Sequence, residues 1–346
     1  MTDQELQFHL YLRNLPIQER EVFDGRLDLA NFAIPELAQA FEDARGLINA
    51  AWAANAPRIL APDGSIALHL DYINSSAVNA ITFGYEGTYF VGITGAMLER
   101  FATTSSSLWR EEEVRELLGL EAGNEKDDPL FQALFLTQLQ FISSHEVGHL
   151  FHGHQPRNAF RTEFRNGITS GTADRMKDQA REIEADAYAV HLLLSNALLS
   201  DTGALIRARL NSRLAKEDCI LTLVALSIGS LFYFLDPPEF ESDRVRYGDH
   251  PFAHARMNVV MREITNWCRL NMPEYINWAT LPRFQQVMTP VVNAGGSEER
   301  FKMWLRQGDY LRDQSGADYT SDLYRFQDQL RSEMDPLRWR MEGQQG

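Results

Sequence analysis

From Phe131 the chain sets apolar residues at four- and three-residue steps, through Phe135, Leu139 and Ile142, and the same stepping carries on to His145 and His149. This is the period of a buried amphipathic helix, so two imidazoles are expected on the inward face of a long internal element. No other stretch limits the fold as strongly. Asp128 as N-cap with Pro129 in the first turn opens the helix, and Gly153 and Pro156 end it.

Residues four apart on a helix lie one turn apart on one face, so His145 and His149 can close on a single zinc ion. Glu146 stands beside the first of them, where it points at the water that completes the metal's coordination. A catalytic zinc takes three protein groups and leaves one position open, so a third ligand has to arrive from another element. The segment Ala180–Val190 consists of helix formers with acids at Glu182, Glu184 and Asp186. Glu182 and Asp186 share a face, and Glu184 lies about 160° round the helix. Glu182 is assigned to the metal and Asp186 to the N–H of a ligating histidine, because such a carboxylate fixes ring orientation. The alternative for this segment is a solvated acidic stripe.

Together these residues resemble the gluzincin metallopeptidases of the CAAX-prenyl-protease and HtpX type, including their small soluble relatives. The likeness rests on His145-Glu-Val-Gly-His149 followed by Glu182-x-x-Ala185-Asp186, on Asn79-Ala80 with Gly84 and Phe90–Leu98 upstream, and on His250-Pro251-x-x-x-x-Arg256 downstream, all in family order. The resemblance implies that Glu182 rather than Glu184 is the third zinc ligand, and that His250 assists at the reacting carbonyl. The Lit-type phage-exclusion peptidases share the bare zinc motif and a cytoplasmic setting, and are the rival relatives. Members in membranes carry several spanning helices, whereas this chain has at most one candidate.

That candidate is Cys219–Leu235. Its length of about 26 Å falls short of a hydrocarbon thickness of about 30 Å, and acids rather than basic anchors flank it, so a buried central helix is expected. With 33 basic and 48 acidic residues the net charge is -15, which argues against nucleic acid or an anionic membrane surface as partner. Cys219 and Cys268 lack ligand spacing and read as buried free thiols of a reducing compartment, with a single disulfide as the minor alternative. The opening Met1–Leu6 lacks a basic and an apolar segment, so a cytoplasmic location is expected.

Three segments are expected, packed as one unit: an N-terminal helical scaffold over 1–65, a zincin-like metallopeptidase core over 66–260 and a C-terminal helical extension over 261–346. In the first, Phe8–Leu12 alternates, and a helix from about Asp28 to Trp52 is broken near Pro35. Period two returns over 66–94, where runs at Ile66–Leu70, Val78–Phe83 and Tyr89–Ile93 predict a hairpin in a small antiparallel sheet, with His69 on its polar face. Such a sheet can take an extended substrate at its edge, or simply pack as core. Thr94 caps a helix through Phe101, a polar loop follows at Thr103–Leu108, an acidic helix spans Glu111–Leu120, and Glu121–Pro129 is a linker.

Beyond the motif, His152 and His154 are helix-end histidines or spare ligands, His9 has no partner at ligand spacing, and His191 reads as a core residue. Residues 156–171 form a loop that could cover the site. Arg256, His254 and Asn79 are candidate oxyanion or substrate contacts. Helix is expected over 257–270 and from about Ser321 to Met334, with a glycine-containing loop at Asn293–Ser297 and a polar tail at 343–346.

The expected fold is α+β and mainly helical, with a small antiparallel sheet beside two metal-bearing helices. The expected activity is zinc-dependent hydrolysis of peptide bonds in a polypeptide substrate, with Glu146 as general base. The alternatives are a defence- or toxin-type peptidase with one host target, and a metal-binding interaction module that does not cut.

Overall fold

The computed structural model describes residues 2–333 apart from 16–19, 21, 33–34, 56–59, 62–63, 66, 86, 122–128, 153–171, 237–238 and 249. The linker before the helix carrying His145 and His149, Gly153 and Pro156 after it, His154, the loop over 156–171 and the tail at 343–346 lie outside the described residues. The chain forms two compact units: Met1–Ala102, Glu146–Gly167 and Glu333–Gly346 in the first, and Thr103–His145 with Ile168–Ser332 in the second.

In the first unit α1 (Asp3–Arg13) is a helix where alternation at Phe8–Leu12 suggested an extended piece. Its start is written in the sequence as a capping box, in which Thr2 accepts from the Glu5 amide and Glu5 accepts from the Thr2 amide. Phe8 and Leu12, four apart, are both fully buried. After a 3-10 turn at Leu29–Asn31, α2 (Pro35–Asn55) begins at Pro35, so the proline starts a helix instead of breaking one.

A two-residue pair, β1 (Leu60–Ala61) with β2 (Gly64–Ser65), precedes the main strands β3 (Ala67–Ile73), β4 (Ala80–Tyr85) and β5 (Thr88–Thr94). The hairpin of β4 and β5 is antiparallel as expected, and it turns with Gly87 at φ 81°. The sheet as a whole is mixed. Its order is β3-β5-β4, and β3 runs parallel to β5, because the chain passes from β3 to the far edge before β5 returns between the two. Gly92 in the middle strand leaves room for the Ile73 side chain, since a Cβ there would lie 2.5 Å from Ile73 Cδ1. Phe83 and Phe90 stack on this sheet with Phe8 and Tyr11 of α1.

The polar face expected for His69 is covered. His69 is 6% exposed and Asp71 fully buried. Arg26 Nε and Arg45 Nη1 each donate to Asp71 at 2.6 Å; burial would raise its carboxyl, but His69, Arg45 and Arg26 together hold it below its ordinary range. Asn49 of α2 accepts from the Leu70 amide at 2.7 Å and donates to the Leu70 carbonyl at 2.9 Å, which closes the β3 edge. Among the described residues β4 pairs on one side alone.

Thr94 caps α3 (Gly95–Leu108), accepting from the Met97 amide at 3.3 Å. This helix runs through the stretch Thr103–Leu108 that composition marked as a loop. Within it Ser107 donates its hydroxyl to the Thr103 carbonyl one turn back. To the second unit belong α4 (Glu112–Leu117) and, as far as His145, α5 (Pro129–Phe151), the helix carrying His145 and His149.

In the second unit α6 (Thr172–Leu198) carries the acids and α7 (Thr202–Leu210) follows. The apolar run is α8 (Lys216–Leu235), buried without interruption from Cys219 to Tyr233 and packed against α6, α7, α9 (Ala253–Asn271) and α10 (Leu281–Ala294). It is the one described helix long and apolar enough by itself to cross a membrane, and 83% of its apolar window is buried in the protein. The cysteines are free and buried, as expected.

Helices α10 and α11 (Glu298–Arg312) occupy a stretch whose periodicity predicted no element apart from the loop after Asn293. Their starts are marked by Thr280 and Ser297, each accepting from the amide three residues on. The last helix, α12 (Gln314–Glu333), is longer than the period indicated. Tyr310, Tyr319, Leu323 and Leu330 of these two helices pack with Ile183 and Phe252 into one apolar cluster. His191 is not a core residue: its side chain is 37% exposed and pairs with Glu263 at 3.2 Å.

Candidate metal centre

The spacing of α5 sets His145 and His149 one turn apart, and α6 brings Glu182 to them. All three are buried, and each offers one donor atom within 4.8 Å of the others. His145 Nε2 lies 3.3 Å from Glu182 Oε2. Donors around a tetrahedral ion with bonds of about 2.0–2.2 Å sit roughly 3.4 Å apart, so this pair already has the separation a cation would need. Glu182, Glu184 and Asp186 are 7%, 3% and 0% exposed, which removes the solvated-stripe alternative.

Asp186 sits one turn after Glu182 and meets the other side of the same imidazole, at 2.9 Å from His145 Nδ1. An ionised carboxylate only accepts, so Nδ1 carries the proton and Nε2 is turned toward Glu182. Arg256 grips Asp186 with both ends of its fork, Nε to Oδ2 at 2.8 Å and Nη2 to Oδ1 at 2.7 Å, while its guanidinium lies 4.2 Å over the Phe232 ring. Burial would raise the Asp186 carboxyl, but Arg256 and His145 hold it below the usual carboxylate range. Burial would likewise lower the His145 imidazole, yet the Asp186 and Glu182 carboxylates raise it to about 10. A site with two carboxylates against one imidazole calls for positive charge, which a divalent cation supplies in place of a proton.

Glu146 is 4% exposed and its Oε2 accepts from Thr82 Oγ1 at 2.5 Å. Thr82 belongs to β4, and its only trace in the sequence is a hydroxyl inside the apolar run Val78–Phe83.

His250 also reaches the site, with Nδ1 3.1 Å from Glu182 Oε2 and a side chain 38% exposed. It follows a 3-10 turn at Val245–Tyr247 that α6 holds in place. Gln179, buried three residues before Glu182, donates to the carbonyls of Val245 and Gly248, both at 2.8 Å. Its own carbonyl accepts from the Tyr319 hydroxyl of α12 at 2.7 Å. Neither Gln179 nor Tyr319 stands out by motif, since the link exists only once α12 has folded back onto α6.

Two of the remaining candidates take packing positions. His254 stacks on Trp304 at 4.3 Å and lies 5.2 Å from Phe284, with its amide bonded to Gln307. Asn79 is turned into its own strand: its side chain accepts from the Ala80 amide and its backbone exchanges hydrogen bonds with Thr94. Arg256 is committed to Asp186. His152 follows the end of α5, with its amide bonded to the Gly148 carbonyl.

No curated protein and no solved structure matches the chain. Residues 97–267, which include α5, α6, His250 and Arg256, match the model of the family described as Peptidase U49, and this similarity supports a proteolytic function.

Proposed function

We propose that this protein is a zinc-dependent endopeptidase in which Glu146 is the general base. The observation that carries the reading is the convergence of His145, His149 and Glu182 beside a buried glutamate that is not one of the three donors. A structural site would close its fourth position and would need no acid there.

His145, His149 and Glu182 would hold the zinc ion, which would supply a Lewis acid and lower the pKa of a water toward neutrality. Glu146 takes the proton from the attacking water and returns it to the leaving amine nitrogen. Asp186 keeps the His145 ring in register through Nδ1, and Arg256 keeps Asp186 ionised and oriented. His250, beside Glu182 and half exposed, is the group positioned to donate to the oxyanion that forms at the scissile carbonyl. The single-sided pairing of β4 offers an edge for an extended polypeptide, and the strand that presents this edge also carries Thr82 against Glu146.

The finer resemblance, to CAAX-prenyl-protease and HtpX-type gluzincins, is supported by the ligand register, and a cytoplasmic location is part of the same proposal. Glu146→Gln is expected to keep its metal, measured by elemental analysis, and to lose cleavage of lysate proteins by at least about 100-fold, measured by mass spectrometry. Undiminished proteolysis by that variant would sink the mechanism. A single cleaved protein in the screen would favour the defence- or toxin-type reading, and broad digestion a general endopeptidase.

A further inference from the structure

Thr82 is absent from every motif and is buried at 1% exposure on the strand that faces Glu146. Its Oγ1 lies 2.5 Å from Glu146 Oε2 and 3.2 Å from the Glu146 main-chain oxygen. A hydroxyl has one proton to give, and an ionised carboxylate is the stronger and here the nearer acceptor, so the proton goes to Oε2. Valine has nearly the same shape and suits a strand at least as well. The hydroxyl is therefore not required by the sheet.

We propose that Thr82 is a positioning residue that fixes the carboxylate of Glu146 for proton transfer, and this rests on reading Glu146 as the general base. With Oε2 held by the Thr82 hydroxyl, the carboxylate that takes the proton from the attacking water is fixed in orientation. The water O–H bond breaks and its proton moves to Glu146 while the C–O bond forms. The C–N bond then breaks, and the same proton passes to the amine nitrogen. Throughout, Thr82 keeps donating to Oε2, whether that atom belongs to a carboxylate or to a protonated acid. The glutamate thus needs no rotamer change between taking the proton and giving it back.

The test uses the full zinc-loaded chain with labelled casein as probe and compares Thr82→Val, Thr82→Ser and Glu146→Gln. For Thr82→Val, kcat is expected to fall by about 10- to 100-fold, part of what a positioned base contributes, with KM and zinc stoichiometry unchanged. Thr82→Ser should restore the rate to within about threefold, since it keeps the hydroxyl. Crystal structures of the three variants supply a readout independent of turnover. The Glu146 carboxylate should hold its place in Thr82→Ser and leave it in Thr82→Val, or in Thr82→Ala should the valine variant fail to fold. A Glu146 carboxylate that stays in place without the hydroxyl, or full kcat in Thr82→Val alongside an inactive Glu146→Gln, overturns the positioning role alone. Full cleavage by Glu146→Gln overturns the general-base reading beneath it.

Discussion

A histidine's surroundings decide what it can do, and this chain contains contrasting cases. His145 is buried between two carboxylates, which raise its imidazole, whereas His254 is buried among rings. Burial there pushes the imidazole down from 6.5 to about 4, with Arg312 adding to the effect and a hydrogen bond to the Trp304 backbone opposing it. A base whose folded pKa lies below its unfolded value binds its proton first in the unfolded chain, so stability is full above about 6.5 and is lost as pH falls toward 4. The loss attributable to His254 is on the order of 3 kcal/mol. Urea unfolding between pH 7 and pH 4 should therefore show a shallower pH dependence for His254→Gln than for the wild type. Equal slopes would mean that the imidazole is not held neutral by its ring contacts.

Elements, in turn, matter through what they hold in place. The 3-10 turn before His250 is fastened to α6 by one side chain, Gln179, which is fastened to α12 by the Tyr319 hydroxyl. Gln179→Leu leaves the Val245 and Gly248 carbonyls and the Tyr319 hydroxyl without these partners. Unsatisfied buried groups cost about 1–3 kcal/mol each, so the variant should unfold at lower temperature by calorimetry. Tyr319→Phe removes one hydrogen bond and should cost about 1 kcal/mol. If Gln179→Leu were as stable as the wild type, α6 would not be what anchors this turn. The mixed sheet makes a related point. Alternation identified its strands, but the placement of β5 between β3 and β4 is a matter of pairing between separate segments, which alternation does not encode.

For the whole molecule, buried acids and histidines make metal occupancy a stability question. A cation bound to the folded chain alone adds stability by mass action, about 2.7 kcal/mol at a free concentration 100 times its Kd. Treatment with a chelator should lower Tm, and zinc should restore it, in differential scanning calorimetry. An unchanged Tm would place no metal on His145, His149 and Glu182. The net charge of -15 adds a general self-repulsion that leaves the fold class unaffected.

Periodicity and spacing alone determined the helix under His145 and His149, the partner helix with Glu182 and Asp186 on one face, the hairpin, and the buried course of Cys219–Leu235. Each of these depends on residues near in sequence, where helix and strand geometry leave few choices. Contacts between distant segments escaped the sequence because nothing local encodes them. Thr82 looks like any strand residue until Glu146 lies against it. Asp71 looks solvent-facing until Arg26 and Arg45 close over it, and His254 looks like an oxyanion or substrate contact until Trp304 stacks on it. Pattern gave the type of these elements, though not of α1, α10 or α11, and only tertiary packing decided which side chain each one met.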